Sequence, residues 1–446
     1  MPTKPLTYNN YFSPKIRDTT RAVDSHPDPN ATALASPESM LKVGREMSLS
    51  LQTRNVSVLA AGQALFNSGR ALMFLVATLA AVNMLGDDLT FVTVPITMML
   101  VGTTCGTLPA SHLMQRIGRK WGFVIGGLIG AFGCTICLVA IQANSFLLFN
   151  CGIFFFGIYS GFAGLQRFAA ADASAPSFRA RAISLVIAAG IVGAVVGPET
   201  ANLTRTLLGD AEFGGTMLAV IGFTLVSSLI SLLIELPRPT LEERKETGRP
   251  LSLILREPAI IVAVASGLVG YVTMNMLMTT TPIAMRVGHH FSFDDAAFVI
   301  EWHIVAMFAP GLFTGQLITR YGSLRIIAAG GLLLLLAVAA ALSGTGLWHF
   351  WVAMFTLGLG WNFAFTGGTT LLTESHAPAE RAKVQGTNDF IVFTCMALSS
   401  MFSGTLYHFM GWTWVNFAAL PMIAVMLAML VWLALVKRRA AAQAAE

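Results

Sequence analysis

The sequence predicts an all-α integral membrane protein with twelve transmembrane helices in two six-helix bundles. Three observations predict it. Hydrophobic residues make up 55% of the 446 positions and charged residues only 11%, with a mean hydropathy of +0.68. A soluble domain carries about 25% charged residues. Apolar stretches long enough to cross a bilayer recur twelve times along the chain, and the two halves of the chain repeat one another. A net charge of +5 and a pI near 9.1 would otherwise point to nucleic acid, but the positions of the cations argue against it.

In chain order, residues 1–54 are polar and lack the apolar core of a cleavable signal. They read as a largely disordered tail, with a short surface helix over Ser36 to Gln52. Spans are predicted at 56–84, 90–114, 121–142, 146–168, 182–203, 214–236, 259–283, 297–318, 323–343, 348–372, 384–406 and 412–436. The charged stretch 237–258 links a bundle at 55–236 to a bundle at 259–436, and 437–446 form the other tail. Short cytoplasmic loops collect Lys and Arg. With both termini inside, 25 of the 28 Lys and Arg residues fall on cytoplasmic loops and tails.

The repeat is carried by two motif pairs. Ser111 to Gly118 follows the second span and Gly315 to Gly322 the eighth, 204 positions apart. Asp172-x-x-x-Pro176-x-x-Arg179 and Glu374-x-x-x-Pro378-x-x-Arg381 follow the fourth and tenth, 202 positions apart. These loops offer gating candidates: Arg116, Gly118, Arg119, Asp172, Arg320 and Gly322. Asp172 pairs with Arg116 or Arg119, or is solvated.

The seventh and eighth spans hold Met274-x-x-x-Met278 and His303-x-x-x-Met307 on either side of a polar turn. Residues four apart share a helix face. At about 1.5 Å per residue, Met278 and His303 lie roughly 8 Å inside the membrane, Met274 and Met307 roughly 14 Å. Thioethers with an imidazole suit a soft cation, Cu(I) above all, and an ionisable residue within a membrane is usually functional. Met422 and Met426 have the same spacing with no histidine nearby, which shows how readily packing alone produces it. Met285, His289 and His290 in the turn are entrance ligands or a solvated turn. The expected partners are the copper ion, as transported substrate rather than cofactor, membrane lipid, and a cytoplasmic copper chaperone that receives the ion. The chain is expected to act as a monomer.

Several motifs together resemble a known family. Leu113 to Lys120 is similar to the R-x-G-R-[RK] loop of the major facilitator superfamily, and Gly193-x-x-x-Gly197-Pro198 to its Gly-Pro motif. The resemblance covers roughly 55–436 and implies the major facilitator fold, transport by alternating access, and no cofactor. This chain has Ser111 and Gln115 where the family usually has Gly and Asp. The Met/His quartet resembles the CcoA-type copper importers, which supply copper for cbb3-type cytochrome oxidase in bacteria. That implies copper import across the inner membrane. Gly360-Trp361-Asn362 and the stretch from Glu380 to Asp389 are shared with related riboflavin transporters, so an organic-solute importer, or a drug exporter, stands as the alternative.

Other polar groups at membrane depth are Arg70, Glu199, Glu301 and Asp389, read as coupling or charge-balancing groups or as interhelical contacts. The five cysteines lie in apolar spans, and Cys134-x-x-Cys137 lacks the second pair of a zinc site. No nucleophile constellation or nucleotide-binding motif is present, so an enzyme is not expected.

Overall fold

The computed structural model describes residues 37–85, 91, 94–209, 212–236 and 248–443. The tail over 1–36, the first half of the linker (237–247) and the last three residues therefore lie outside the described residues. The described elements are all helical. The first helices are α1 (Pro37–Leu85), α2 (Val94–Ile117), α3 (Arg119–Gln142), α4 (Phe146–Gly164), α5 (Gln166–Asp172), α6 (Arg179–Ala188), α7 (Gly190–Thr204) and α8 (Gly214–Ser231). After a short turn, α9 (Leu251–Ile254), come α10 (Pro258–Ile283), α11 (Phe293–Phe308), α12 (Gly311–Tyr321), α13 (Ser323–Ser343), α14 (Leu347–Glu374) and α15 (Arg381–Gln443), the last kinked at Gly411. Of the stretch Ser36 to Gln52 read as a short surface helix, the residues from Pro37 on are helical and continue into α1, which therefore begins within the predicted 1–54 tail.

Leu49–Glu446 forms one compact unit. Among the described residues, eight helices are long and apolar enough to cross a membrane, nine if the α11–α12 pair, bent by 41°, is one span. The predicted spans at 348–372 and 384–406, and that at 90–114 from Val94 on, are also helical, on α14, the first limb of α15 and α2, but less apolar. The physical reason is visible in α14, which buries most of its residues against other helices. A helix sheathed by protein has no need of a continuous apolar surface. By contrast, Leu147, Leu203, Leu229 and Val195 are largely exposed, as a lipid-facing surface requires.

Small residues set how closely the helices approach. On α2, Gly102 and Gly106 lie against the backbone of α4 at Gly157, Ile158 and Gly161, where a methyl group would overlap main-chain atoms. This is the small-xxx-small packing of membrane helices.

The sequence repeat reappears as geometry. Gly118 and Gly322, 204 positions apart, have φ 90° and 86°, a backbone region closed to most side chains. Each turns the chain sharply into the next helix, α3 or α13. The contacts between halves repeat too. Ser111 Oγ donates to the Ala382 carbonyl at 2.7 Å, and Gly386 packs on Ser111. At the corresponding positions, Gly315 sits on the backbone of Ala180 and Arg181, and its N–H donates to Ser184 Oγ at 3.0 Å. These contacts draw α2 to α15 and α6 to α12 at the end bearing the charged loops, called the charged end below.

Candidate functional site

The fourth predicted span runs through α4 and α5, with Leu165 between them in right-handed helical backbone. Here Arg167 Nη1 donates to the Gly164 carbonyl at 2.5 Å. The other arm of Arg167 forms an ion pair with Asp389 on α15, both side chains almost wholly buried. Asn388 Nδ2 donates to the same Asp389 oxygen at 2.8 Å. The pair spans 222 positions of sequence and ties the first half of the chain to the second.

An aromatic cluster lies against this pair. The Arg167 guanidinium sits 4.3 Å from the Phe168 ring centroid and 4.7 Å from that of Phe365. Tyr271 on α10 meets Phe365, Trp361 and Phe393 edge-on, at 4.9, 5.2 and 5.8 Å between centroids. Trp361 and Phe365, one turn apart on α14, stack at 5.2 Å, and Phe308 meets Trp361 at 5.9 Å. Several buried polar atoms around the cluster find no partner among the described residues: Gln166 Oε1, Arg167 Nε, Asp389 Oδ2 and Trp361 Nε1. Unsatisfied buried groups are costly, and these four belong to residues of the aromatic cluster and the ion pair or next to them in sequence.

The Met/His residues lie nearby. Met274 and Met307 are buried and Met278 half-buried. Met274 and Met278 follow Tyr271 by three and seven residues, on the same face of α10. His303 is buried, with Nδ1 2.7 Å from the Met354 carbonyl on α14. The carbonyl of Met307 accepts from Asn362 Nδ2 at 2.7 Å. Helix α14 packs against both α10 and α11 far more extensively than they pack against each other. Met285 is buried, whereas His289 and His290 are exposed, and His289 rests on the Phe350 ring. Among the described residues no three His, Cys, Asp or Glu side chains gather as a metal-binding group.

At the charged end Asp172 gathers two cations. Arg119 Nη2 lies 3.1 Å from its carboxylate and Arg381 Nη1 3.3 Å. Arg119 also donates to Gln385 Oε1 at 2.5 Å. Arg116 is exposed, and Arg320 lies over the Tyr321 ring. With Gln115 in place of the family's usual Asp, Ser111 and Asp172 make the ties between the loops. Glu380, almost fully buried, accepts from Arg249 Nε at 2.7 Å and Nη2 at 3.0 Å. Those bonds hold its carboxyl down to about 2.

The remaining candidates are dispersed. Gly193 and Gly197 on α7 pack against Asn67 and Ala71 of α1, and Pro198 follows on the same helix. Arg70 lies over Phe74, and Glu199 and Glu301 are exposed. Sequence reasoning passed over Gln166, Tyr271, Phe365 and Phe393, and counted Arg167 only as a loop cation. An ionisable residue between Gly164 and the apolar run Phe168–Ala171 was a usable signal. So was the one-turn spacing of Trp361 and Phe365.

A helical chain with halves tied at one end and a buried polar and aromatic site has the build of a membrane carrier. The Major Facilitator Superfamily model matches residues 59–400 and 265–446, and the chain belongs to that family: it is a multi-pass membrane transport protein, not an enzyme. It is 42% identical over 393 residues to the riboflavin transporter RfnT of Brucella anthropi, covering 88% of this chain and 98% of that one. It is 29% identical over 406 residues to the uncharacterized MFS-type transporter YdeG of Bacillus subtilis, covering 87% and 92%. Its fold is similar to that of FucP, solved in the outward conformation, with TM-score 0.67 at 16% identity, covering 84% of this chain and 98% of that one.

The likeness to RfnT corrects the sequence reading. Copper import, with its keywords of metal binding and cytochrome oxidase biogenesis and its copper and chaperone partners, is not upheld: the relative is a riboflavin transporter. The physical reason for the error lies in the spacing. Four-residue repeats report a shared helix face, whether that face serves a metal, a ring or a neighbouring helix.

Proposed function

We propose that this chain imports riboflavin across a bacterial inner membrane by alternating access, with both termini cytoplasmic. The observation that supports this most is the cluster of Tyr271, Trp361, Phe365 and Phe393 beside the Arg167–Asp389 pair, in a chain 42% identical to a riboflavin transporter. Riboflavin joins a flat three-ring system with an imide edge to a chain of hydroxyls. Aromatic rings take the flat face, each contact worth about 0.5–1.5 kcal/mol. Trp361 Nε1 and Arg167 Nε offer donors to its carbonyls, and Asp389 Oδ2 and Gln166 Oε1 accept from its N–H and O–H groups. Met274 and Met278 supply polarizable thioethers to the ring edge.

In this reading the halves 55–236 and 259–436 rock about the linker 237–258, and Arg119, Asp172 and Arg381 form the cytoplasmic gate. Gly118 and Gly322 shape the loops that carry it. The ties at the charged end correspond to a site closed toward the cytoplasm.

Uptake of radiolabelled riboflavin by a riboflavin-requiring bacterium without its own carrier tests the proposal. Cells making the protein accumulate label and grow at low riboflavin, and Trp361→Leu removes most of the uptake at an unchanged protein level. Absence of uptake with the wild-type protein present in the membrane rejects the reading.

A further inference from the structure

The Arg167–Asp389 pair occupies two positions at once. It belongs to the solute site, because the guanidinium lies over the Phe365 ring. It also joins the halves, because Arg167 is on α5 and Asp389 on α15. Each partner is only partly satisfied. Asp389 spends Oδ1 on Arg167 and Asn388 and keeps Oδ2 free, and Arg167 spends both terminal nitrogens and keeps Nε free. Gln166 Oε1 is free alongside. At Gly164, Asp389 Oδ2, the Phe393 ring and Arg167 converge within 4 Å of where a side chain would begin.

We infer that Arg167 and Asp389 form a solute-operated latch, in which hydroxyl and imide groups of the bound solute take over the hydrogen bonds that hold the two halves together. The inference rests on the proposed riboflavin site for its probe, but not for the pair's role between the halves. A buried ion pair holds strongly only while nothing else competes for its charges, since desolvation of both ions offsets much of their attraction. A solute bearing donors and acceptors replaces that desolvation loss with new bonds, so its binding and the loosening of the pair are one event. The ties made by Asp172, Ser111 and Ser184 nearer the charged end then remain as the last barrier to opening.

Hydrogen exchange of the full-length protein, with riboflavin as probe, tests this. Segments 111–120 and 378–389 report opening at the charged end, and quenching of flavin fluorescence reports binding. In the wild type, saturating riboflavin should speed exchange in both segments by about tenfold, the value of one charge-assisted hydrogen bond. Asp389→Asn should show similarly fast exchange without solute and little further change with it. Arg167→Lys keeps the charge but loses the free Nε. It should stay as protected as the wild type without solute and bind riboflavin about tenfold more weakly, which also covers the case of a poorly folded Asp389→Asn. Riboflavin binding that leaves wild-type exchange unchanged, or an Asp389→Asn protein as protected as the wild type, overturns the latch. No riboflavin binding by the wild type, with fast exchange in Asp389→Asn, rejects the substrate and leaves the latch standing.

Discussion

Asn362 shows how single residues shape the site. Pro310 has no N–H, so the helical bond to the Ala306 carbonyl is lost and the eighth span bends between α11 and α12. Asn362 reaches across from α14 to serve the Met307 carbonyl, and Thr314 Oγ1 lies 2.7 Å from both the Pro310 carbonyl and Asn362 Oδ1. The bend is thereby fixed, and Phe308 is held against Trp361. In this environment Met307 is buried and its backbone carbonyl is taken by Asn362. Met307→Leu, which keeps volume and removes sulfur, is expected to cost less than about 1.5 kcal/mol of stability and to leave riboflavin uptake in place. Thermal unfolding and uptake on the same preparations check this. Uptake abolished at normal protein level would mean that the sulfur atom has a chemical role that packing does not provide.

The helices themselves were legible, because a bilayer forces long apolar stretches and the short loops between them hold the cations. The repeat was legible as well: Gly118 and Gly322 share one backbone geometry because they share one loop motif. The bend between α11 and α12 was not, since hydropathy is blind to a turn inside an apolar run. Nor was the Arg167–Asp389 pair, whose members are 222 positions apart, and rings such as Phe365 and Phe393 look the same in sequence whether they meet lipid or a solute. Where charge is clustered outside the spans, the tie of the linker to the loop before α15 gives a pH signature. Glu380 is held below its ordinary value of 4.5 by hydrogen bonds from Arg249. Its contribution is therefore complete above about pH 4.5 and is lost as pH falls toward 2. The difference in melting temperature between wild type and Glu380→Gln should be constant from neutral pH down to about pH 5 and shrink below it. A difference that grows on acidification would contradict the assignment.

At the scale of the whole molecule, two structurally repeated halves meet at the charged end through paired contacts, Ser111 with Ala382 and Gly315 with Ser184. The Arg167–Asp389 pair sits between that closure and the aromatic cluster. Such an arrangement lets occupancy of one site bias the closure of the other end, which alternating access requires. The most direct test of riboflavin transport by this chain is uptake into sealed vesicles containing only the purified protein. Radiolabelled riboflavin should enter protein-containing vesicles faster than empty ones, saturate with concentration, and be chased out by excess unlabelled riboflavin. Entry no faster than into empty vesicles, with correctly folded protein in the membrane, would contradict the account.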